Sequence, residues 1–290
     1  MSTSRGKSRR TGSGTTEAGP RRPIVDGLFY PSEPERLRGR ITELVGPARE
    51  ARAWAVVTPH AALDYAGVPL GRAYSAAAGL RSIRTVLVAA PLHRDPGEAV
   101  LLPESTAFAT PLGTVEVDIP VMDGLTAKDR RIERDETPFL EEHSIEVQLP
   151  FIQVLFPQAR IVPLLLGRLT APRMRELAAA VRSVLSVGSD EVLCVATSNM
   201  SSGDEAALWL ELLLAGDTRA MLQRMHRREL RACGGLCIAL VSSLLREAGP
   251  DPSPVELMAR SEPAASAGVR GRSAAIPTYA AFALFRNERG

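Results

Sequence analysis

Four stretches of this chain are apolar almost without interruption, and they set its architecture. Ala53 to Val57, Thr85 to Ala90, Arg160 to Leu166 and Glu191 to Thr197 each run for five to seven residues with few charges. Stretches this short, rich in Val and Ala and bounded by turn formers, are the mark of strands covered on both faces. Between them the pattern changes to helical spacing. Leu37, Ile41, Leu44 and Val45 fall on one face of a helix that Gly46-Pro47 ends, with Ser32 as expected N-cap and Glu35 as its capping-box partner. Further helices are expected over about 68–78, over most of 141–156 with a kink at Pro150, over 172–187, and over 204–214, 217–230 and 233–248. Two β-like pieces, 255–258 and 274–285, close the chain. Residues 98 to 117 read as a hairpin-like excursion from the main sheet, and 118 to 138 as a solvated linker with a short helix. Strands alternating with helices predict an α/β fold, with a largely parallel or mixed central sheet and helices on both faces. Pro163 is awkward inside its strand, because proline cannot donate to a ladder on both sides.

Two of these strands end in the same way. Ala53 to Val57 leads into Thr58-Pro59-His60, and Thr85 to Ala90 leads into Pro91-Leu92-His93. In open α/β sheets, ligands bind just past the carboxyl ends of the strands. Two histidines at matching strand ends therefore point to one site, which distinguishes them from scattered structural imidazoles. His143 lies at the expected start of the helical segment 141–156, and His226 sits among arginines on an expected surface helix. A third donor is available in Cys233, at a helix start beside Gly234 and Gly235. A helix N-terminus favours the thiolate that binds metal, although a free cysteine is commonly a small buried hydrophobe. That second description suits Cys194 and Cys237 better. No glycine-rich phosphate loop follows any strand, which excludes dinucleotide and P-loop chemistry of the usual kinds.

Charge adds a separate feature. Residues 1 to 22 hold six Lys or Arg (Arg5, Lys7, Arg9, Arg10, Arg21, Arg22) and one acid, Glu17, within a chain of net charge +2. This leader is expected to be a disordered basic tail ahead of one domain over 23–290. It is read as a solvated leader; contact with nucleic acid or acidic lipid is the alternative. The low aromatic fraction of 4% argues against stacking platforms of the kind that hold single-stranded nucleic acid. The leader lacks the apolar run of an export signal, and no stretch has the length of a membrane span. With an odd number of cysteines this predicts a cytoplasmic protein with reduced thiols.

The motifs also carry a resemblance. Arg22-Pro23, Gly27, Phe29-Tyr30-Pro31, Thr58-Pro59-His60-Ala61, Gly67, Cys233-Gly234 and the long block Glu142-His143-Ser144-Ile145-Glu146-Val147-Gln148-Leu149-Pro150-Phe151 resemble the Memo family, known in bacteria as AmmeMemoRadiSam system protein B. The resemblance runs from about residue 22 to the C-terminus. It implies a fold like that of class III extradiol dioxygenases and a mononuclear metal site of two histidines and a cysteine, here His60, His93 and Cys233. Iron(II) is the implied metal, and copper or zinc suits the same donors. His143 would line the pocket. An unidentified small molecule would be the substrate, or a protein the partner. The chain departs from the family pattern at three places. His60-Ala61-Ala62-Leu63 stands for His-Ala-Gly-Tyr, and Ala90-Pro91-Leu92-His93 for Gly-Pro-Ser-His. Thr197-Ser198-Asn199-Met200-Ser201-Ser202 stands for Ser-Ser-Asp-x-Ser-His. Ser202 thus occupies the position of the family's acid/base histidine and Asn199 that of an acid. A serine hydroxyl does not exchange protons near neutral pH as imidazole does. Two readings follow: a metal-dependent oxidoreductase in which His143 moves the proton, or a catalytically degenerate scaffold that holds a metal or ligand and acts through partners.

Overall fold

The computed structural model describes residues 19–47, 50–94, 97–246, 254–261 and 278–285. The expected basic tail falls mostly outside them, as do residues 247–248 of the expected helix 233–248 and residues 274–277 of the last expected strand. Arg21, placed in the tail by its composition, is instead buried. Its guanidinium donates to the carbonyls of Phe139 and Glu142 and pairs with Glu146 at 3.1 Å. The packed structure therefore begins ahead of residue 23.

The fold is mixed α/β, built on one large sheet. Its parallel centre comprises β1 (Ala53–Thr58), β2 (Thr85–Pro91), β7 (Arg160–Leu166) and β8 (Val192–Thr197), the four apolar stretches of the sequence. With β3 (Val100–Leu102), β6 (Ile132–Arg134), β9 (Val255–Ser261) and β10 (Tyr279–Phe285), the strand order is β6-β3-β7-β2-β8-β1-β10-β9. The inner pairs β7/β2, β2/β8 and β8/β1 are parallel, whereas β3/β7, β1/β10 and β10/β9 are antiparallel. Helices α1 (Pro34–Val45), α2 (Leu63–Ala77), α3 (Ile119–Lys128), α4 (Leu149–Leu155), α5 (Ala171–Val184), α6 (Gly203–Ala215), α7 (Thr218–His226) and α8 (Gly235–Arg246) accompany the sheet. All of β1, β2 and β8 is buried, so their side chains enter the core on both faces.

Several local expectations are corrected by tertiary packing. The N-cap of α1 is Glu33 rather than Ser32, with no side-chain cap bond; Pro34 at the first helical position presets φ for the first turn. Helix α2 starts at Leu63, five residues early, and carries Pro69 inside it. Val100–Leu102 joins the main sheet against β7, and the hairpin is the separate pair β4 (Ala107–Thr110) and β5 (Gly113–Glu116). The charged stretch 118–138 is no solvated linker. It holds α3 and β6, and its Asp129 is buried against Arg173. Pro150 lies in the first turn of α4, so it kinks nothing; residues 141–148 are turns and a short 3-10 segment. Pro163 pairs with Val88 of β2 on one side, while β3 on the other side engages only Leu165 and Leu166. The missing donor therefore faces a gap in the ladder.

Candidate metal centre

Strand order creates the site. β8 lies between β1 and β2, all three parallel, so their carboxyl ends sit side by side. His60 follows β1 and His93 follows β2, two strand spacings or about 10 Å apart at the backbone. Their rings lean toward each other over the end of β8, with centroids 5.1 Å apart and nearly perpendicular. Cys233 arrives from the turn before α8. Gly234 makes this possible: a Cβ there would stand 2.0 Å from the carbonyl oxygen of Thr197, so no other residue could bring the turn so close to β8. The ligand atoms of His60, His93 and Cys233 lie within 4.8 Å of one another.

The polar surroundings orient both rings. His60 Nδ1 meets Thr197 Oγ1 at 2.6 Å, leaving Nε2 toward Cys233 Sγ at 3.2 Å. His93 Nδ1 meets the Glu142 carboxylate at 2.9 and 3.0 Å, and its backbone N–H donates to the same group at 3.2 Å. The neutral tautomer that donates Nδ1–H to these acceptors would present the Nε2 lone pair to an ion, and a carboxylate behind an imidazole increases its basicity. Gln148 ties the arrangement from beneath. Its Oε1 accepts from Thr58 and Tyr74 and its Nε2 donates to the carbonyl of Pro59.

The donors suit a transition metal. Bonds of about 2.0 Å to nitrogen and 2.3 Å to sulfur put N and S about 3.1 Å apart at a right angle and about 3.5 Å apart at the tetrahedral angle. The observed 3.2 Å between His60 Nε2 and Cys233 Sγ lies between these values, a spacing able to coordinate an ion. Charge distribution agrees. Burial alone would push the Cys233 thiol up, but the histidines beside it reverse this and hold it down to about 5. The Cys233 hydrogen bond first and Glu142 second push His93 up to about 10. Burial raises Glu142, yet the hydrogen bond and charge of His93 outweigh it and bring it down to about 2. Left to themselves the groups form a thiolate–imidazolium–carboxylate row, and an incoming cation takes the place of the proton. Burial pushes the remaining thiols up, Cys194 to about 12 and Cys237 likewise upward, which leaves Cys233 as the thiolate.

His143 stands beside the cluster. Its ring lies parallel to that of His93 at 5.5 Å, 5.7 Å from that of His60, and edge-on to Phe29 at 5.2 Å. Its nitrogens group with His93 and Glu142 but not with the sulfur. Burial first, and the neighbouring imidazoles second, lower its pKa. Ser202 and Asn199 do other work. Ser202 caps α6, accepting from Glu205 N–H at 3.3 Å, while Asn199 hydrogen-bonds both His60 and Cys233. His226 is exposed on α7. Thr197, Gln148 and Glu142 were not singled out as site residues from the sequence. Glu142 stands among exposed acids and Thr197 closes an apolar run. Only a polar residue at a buried strand end hinted at Thr197.

Fold and donor set together define the class: a mixed α/β protein of class III dioxygenase-like architecture, with a His/His/Cys cluster able to coordinate a metal ion at the strand ends. A family model described as Memo-like protein matches residues 21–266. A MEMO1 family protein of Methanosarcina acetivorans is 30% identical over 272 residues, 90% of this chain and 97% of the relative. One from Caldivirga maquilingensis is 31% identical over 232 residues (74% and 82%) and one from Archaeoglobus fulgidus 31% over 231 (76% and 85%). The chain belongs to the Memo family. No helix among the described residues is long and apolar enough to cross a membrane.

Proposed function

We propose that the protein is a mononuclear metal-dependent oxidoreductase of dioxygenase type, with His60, His93 and Cys233 as the metal ligands and a small aromatic diol as the class of substrate. One observation carries this reading: three soft-to-borderline donors from distant parts of the chain converge with both Nδ1 atoms already engaged. Two imidazoles and a thiolate leave coordination positions open. Iron(II) is the proposed metal, with copper or zinc able to occupy the same donors; when bound, it supplies a Lewis acid and electron-transfer centre for dioxygen and substrate. The chain's own residues do the rest. Thr197 and Glu142 hold the imidazoles in the ligating tautomer. His143, beside the His93 ring and backed by Phe29, accepts a proton from a substrate hydroxyl, the task that Ser202 cannot perform. His60→Ala and Cys233→Ala are each expected to abolish metal uptake by anaerobically prepared protein, with His143→Ala retaining it. Stoichiometric metal in both ligand variants refutes the site.

The capping role of Ser202 motivates a second reading, a scaffold that keeps the metal and acts through a protein partner. Ser202→His separates the two: dioxygen consumption that appears only in this variant supports the scaffold.

A further inference from the structure

Asn199 makes three hydrogen bonds that tie His60 to Cys233. Its side-chain Oδ1 accepts the backbone N–H of His60 at 3.1 Å. Its own backbone N–H points at Cys233 Sγ at 3.1 Å. Its carbonyl accepts the backbone N–H of Cys233 at 3.2 Å. His60 and Cys233 are 173 positions apart, on different elements, and meet through the loop after β8 on which Asn199 sits. On each side of Asn199 the same loop is pinned. Ser198 Oγ accepts the N–H of Gly234 at 3.0 Å, and Met200 forms bridges to Ala232 and Thr278.

We propose that Asn199 is a positioning residue that sets the distance between the His60 imidazole and the Cys233 sulfur. This rests on the metal-site reading above. The physical reason is local. The His60 N–H is partly buried and the Asn199 amide is the acceptor it has. Removing that acceptor strands a donor, and the chain moves to satisfy it. His60 is two residues past the end of β1, where the ladder no longer holds the backbone, so a small shift there carries the ring with it. The Asn199 N–H aimed at sulfur also draws charge from the thiolate, as groups around a metal ligand commonly do. On this account the neutral amide at a position that is acidic in the family pattern keeps a geometric role, because the acceptor oxygen is what the site uses.

Full-length protein loaded anaerobically with Co(II) tests this, read by the thiolate-to-cobalt charge-transfer band and by chelator competition. Asn199→Ala is expected to weaken Co(II) binding about ten- to hundredfold and to shift or broaden the band. Asn199→Asp, which retains the acceptor oxygen, is expected to restore affinity to within about threefold. Melting of the metal-free variants separates positioning from unfolding, and the Asp variant keeps the test open should the Ala variant not fold. Unchanged affinity and band in Asn199→Ala overturn the proposal while the metal site stands. Loss of binding in Asn199→Asp overturns it too. A wild-type protein with no thiolate band at all overturns the underlying reading and this inference with it.

Discussion

Removing the Glu146 carboxylate is expected to destabilise the protein more than any change in the metal cluster. Both members of the Arg21–Glu146 pair are sealed from water, with side chains 2% and 0% exposed. The carboxylate also accepts from the N–H groups of Ile24 and Val25 and, at 2.7 Å, from the Tyr30 hydroxyl. Burial, and then the carboxylate beside it, raise the Tyr30 pKa, so that hydroxyl stays a donor. Glu146→Ala leaves a guanidinium in the core with the carbonyls of Phe139 and Glu142 and the face of the Phe108 ring, and no counter-charge. Breaking a buried ion pair from one side costs about 3–5 kcal/mol. Three stranded neutral donors add about 1 kcal/mol each at the low end of their range, for about 6–8 kcal/mol if the segment stays docked. If residues 21–30 peel away, the loss stops at their docking energy and the segment becomes a proteolysis site. Glu146→Gln keeps an acceptor for the neutral donors and gives up the charge, so it should fall between wild type and Glu146→Ala. Urea unfolding with the slope held common to all three proteins measures this. A loss below about 1.5 kcal/mol in Glu146→Ala, with no new cleavage near residues 21–30, refutes the reasoning. The anchor also concerns the site, since the same segment carries Phe29 against His143.

Three further outcomes follow from the packing. Gly234→Ala places a methyl 2.0 Å from the Thr197 oxygen, so the turn must retreat; metal affinity should fall at least about tenfold, and unchanged metal content in dialysed protein contradicts this. Burial raises the Asp129 carboxyl, but Arg131 first and Arg173 second outweigh it and hold it below its ordinary value. A carboxyl depressed in the fold stabilises above its unfolded pKa and loses that contribution as pH falls through the folded one. The stability gap between wild type and Asp129→Asn should therefore be flat near neutrality and begin to narrow below about pH 4; a gap that stays constant as pH falls below that point argues against it. Metal retention should also fall on acidification, because imidazole and thiolate must be deprotonated to bind. Equal retention at pH 4 and pH 8 by metal analysis would exclude the proposed ligands.

The two histidines were legible because each follows an apolar run that can only be an inner strand. Periodicity alone therefore placed His60 and His93 at strand ends. Cys233 was less legible: its place at a helix start beside two glycines set it apart from Cys194 and Cys237, and the motif that resembles the Memo family made it the third donor. The misreading of 118–138 as solvated has one cause. Asp118 and Asp129 lie in a stretch whose charge predicts solvent, and each is buried by a partner far along the chain: Thr85 for Asp118 and Arg173 for Asp129. Charge pairing across long separations leaves no local trace.

What the chain alone determined was therefore the set of elements, the covered parallel strands and the residue types that could bind an ion, because all of these follow from periodicity and short-range chemistry. The tertiary structure decided the strand order that sets β8 between β1 and β2. It also decided the close approach at Gly234 that delivers the sulfur, and the role of Asn199 as a tie between His60 and Cys233. Each is a contact between segments distant in the chain, and such contacts depend on which surfaces pack, a property of the whole core that no window of sequence contains.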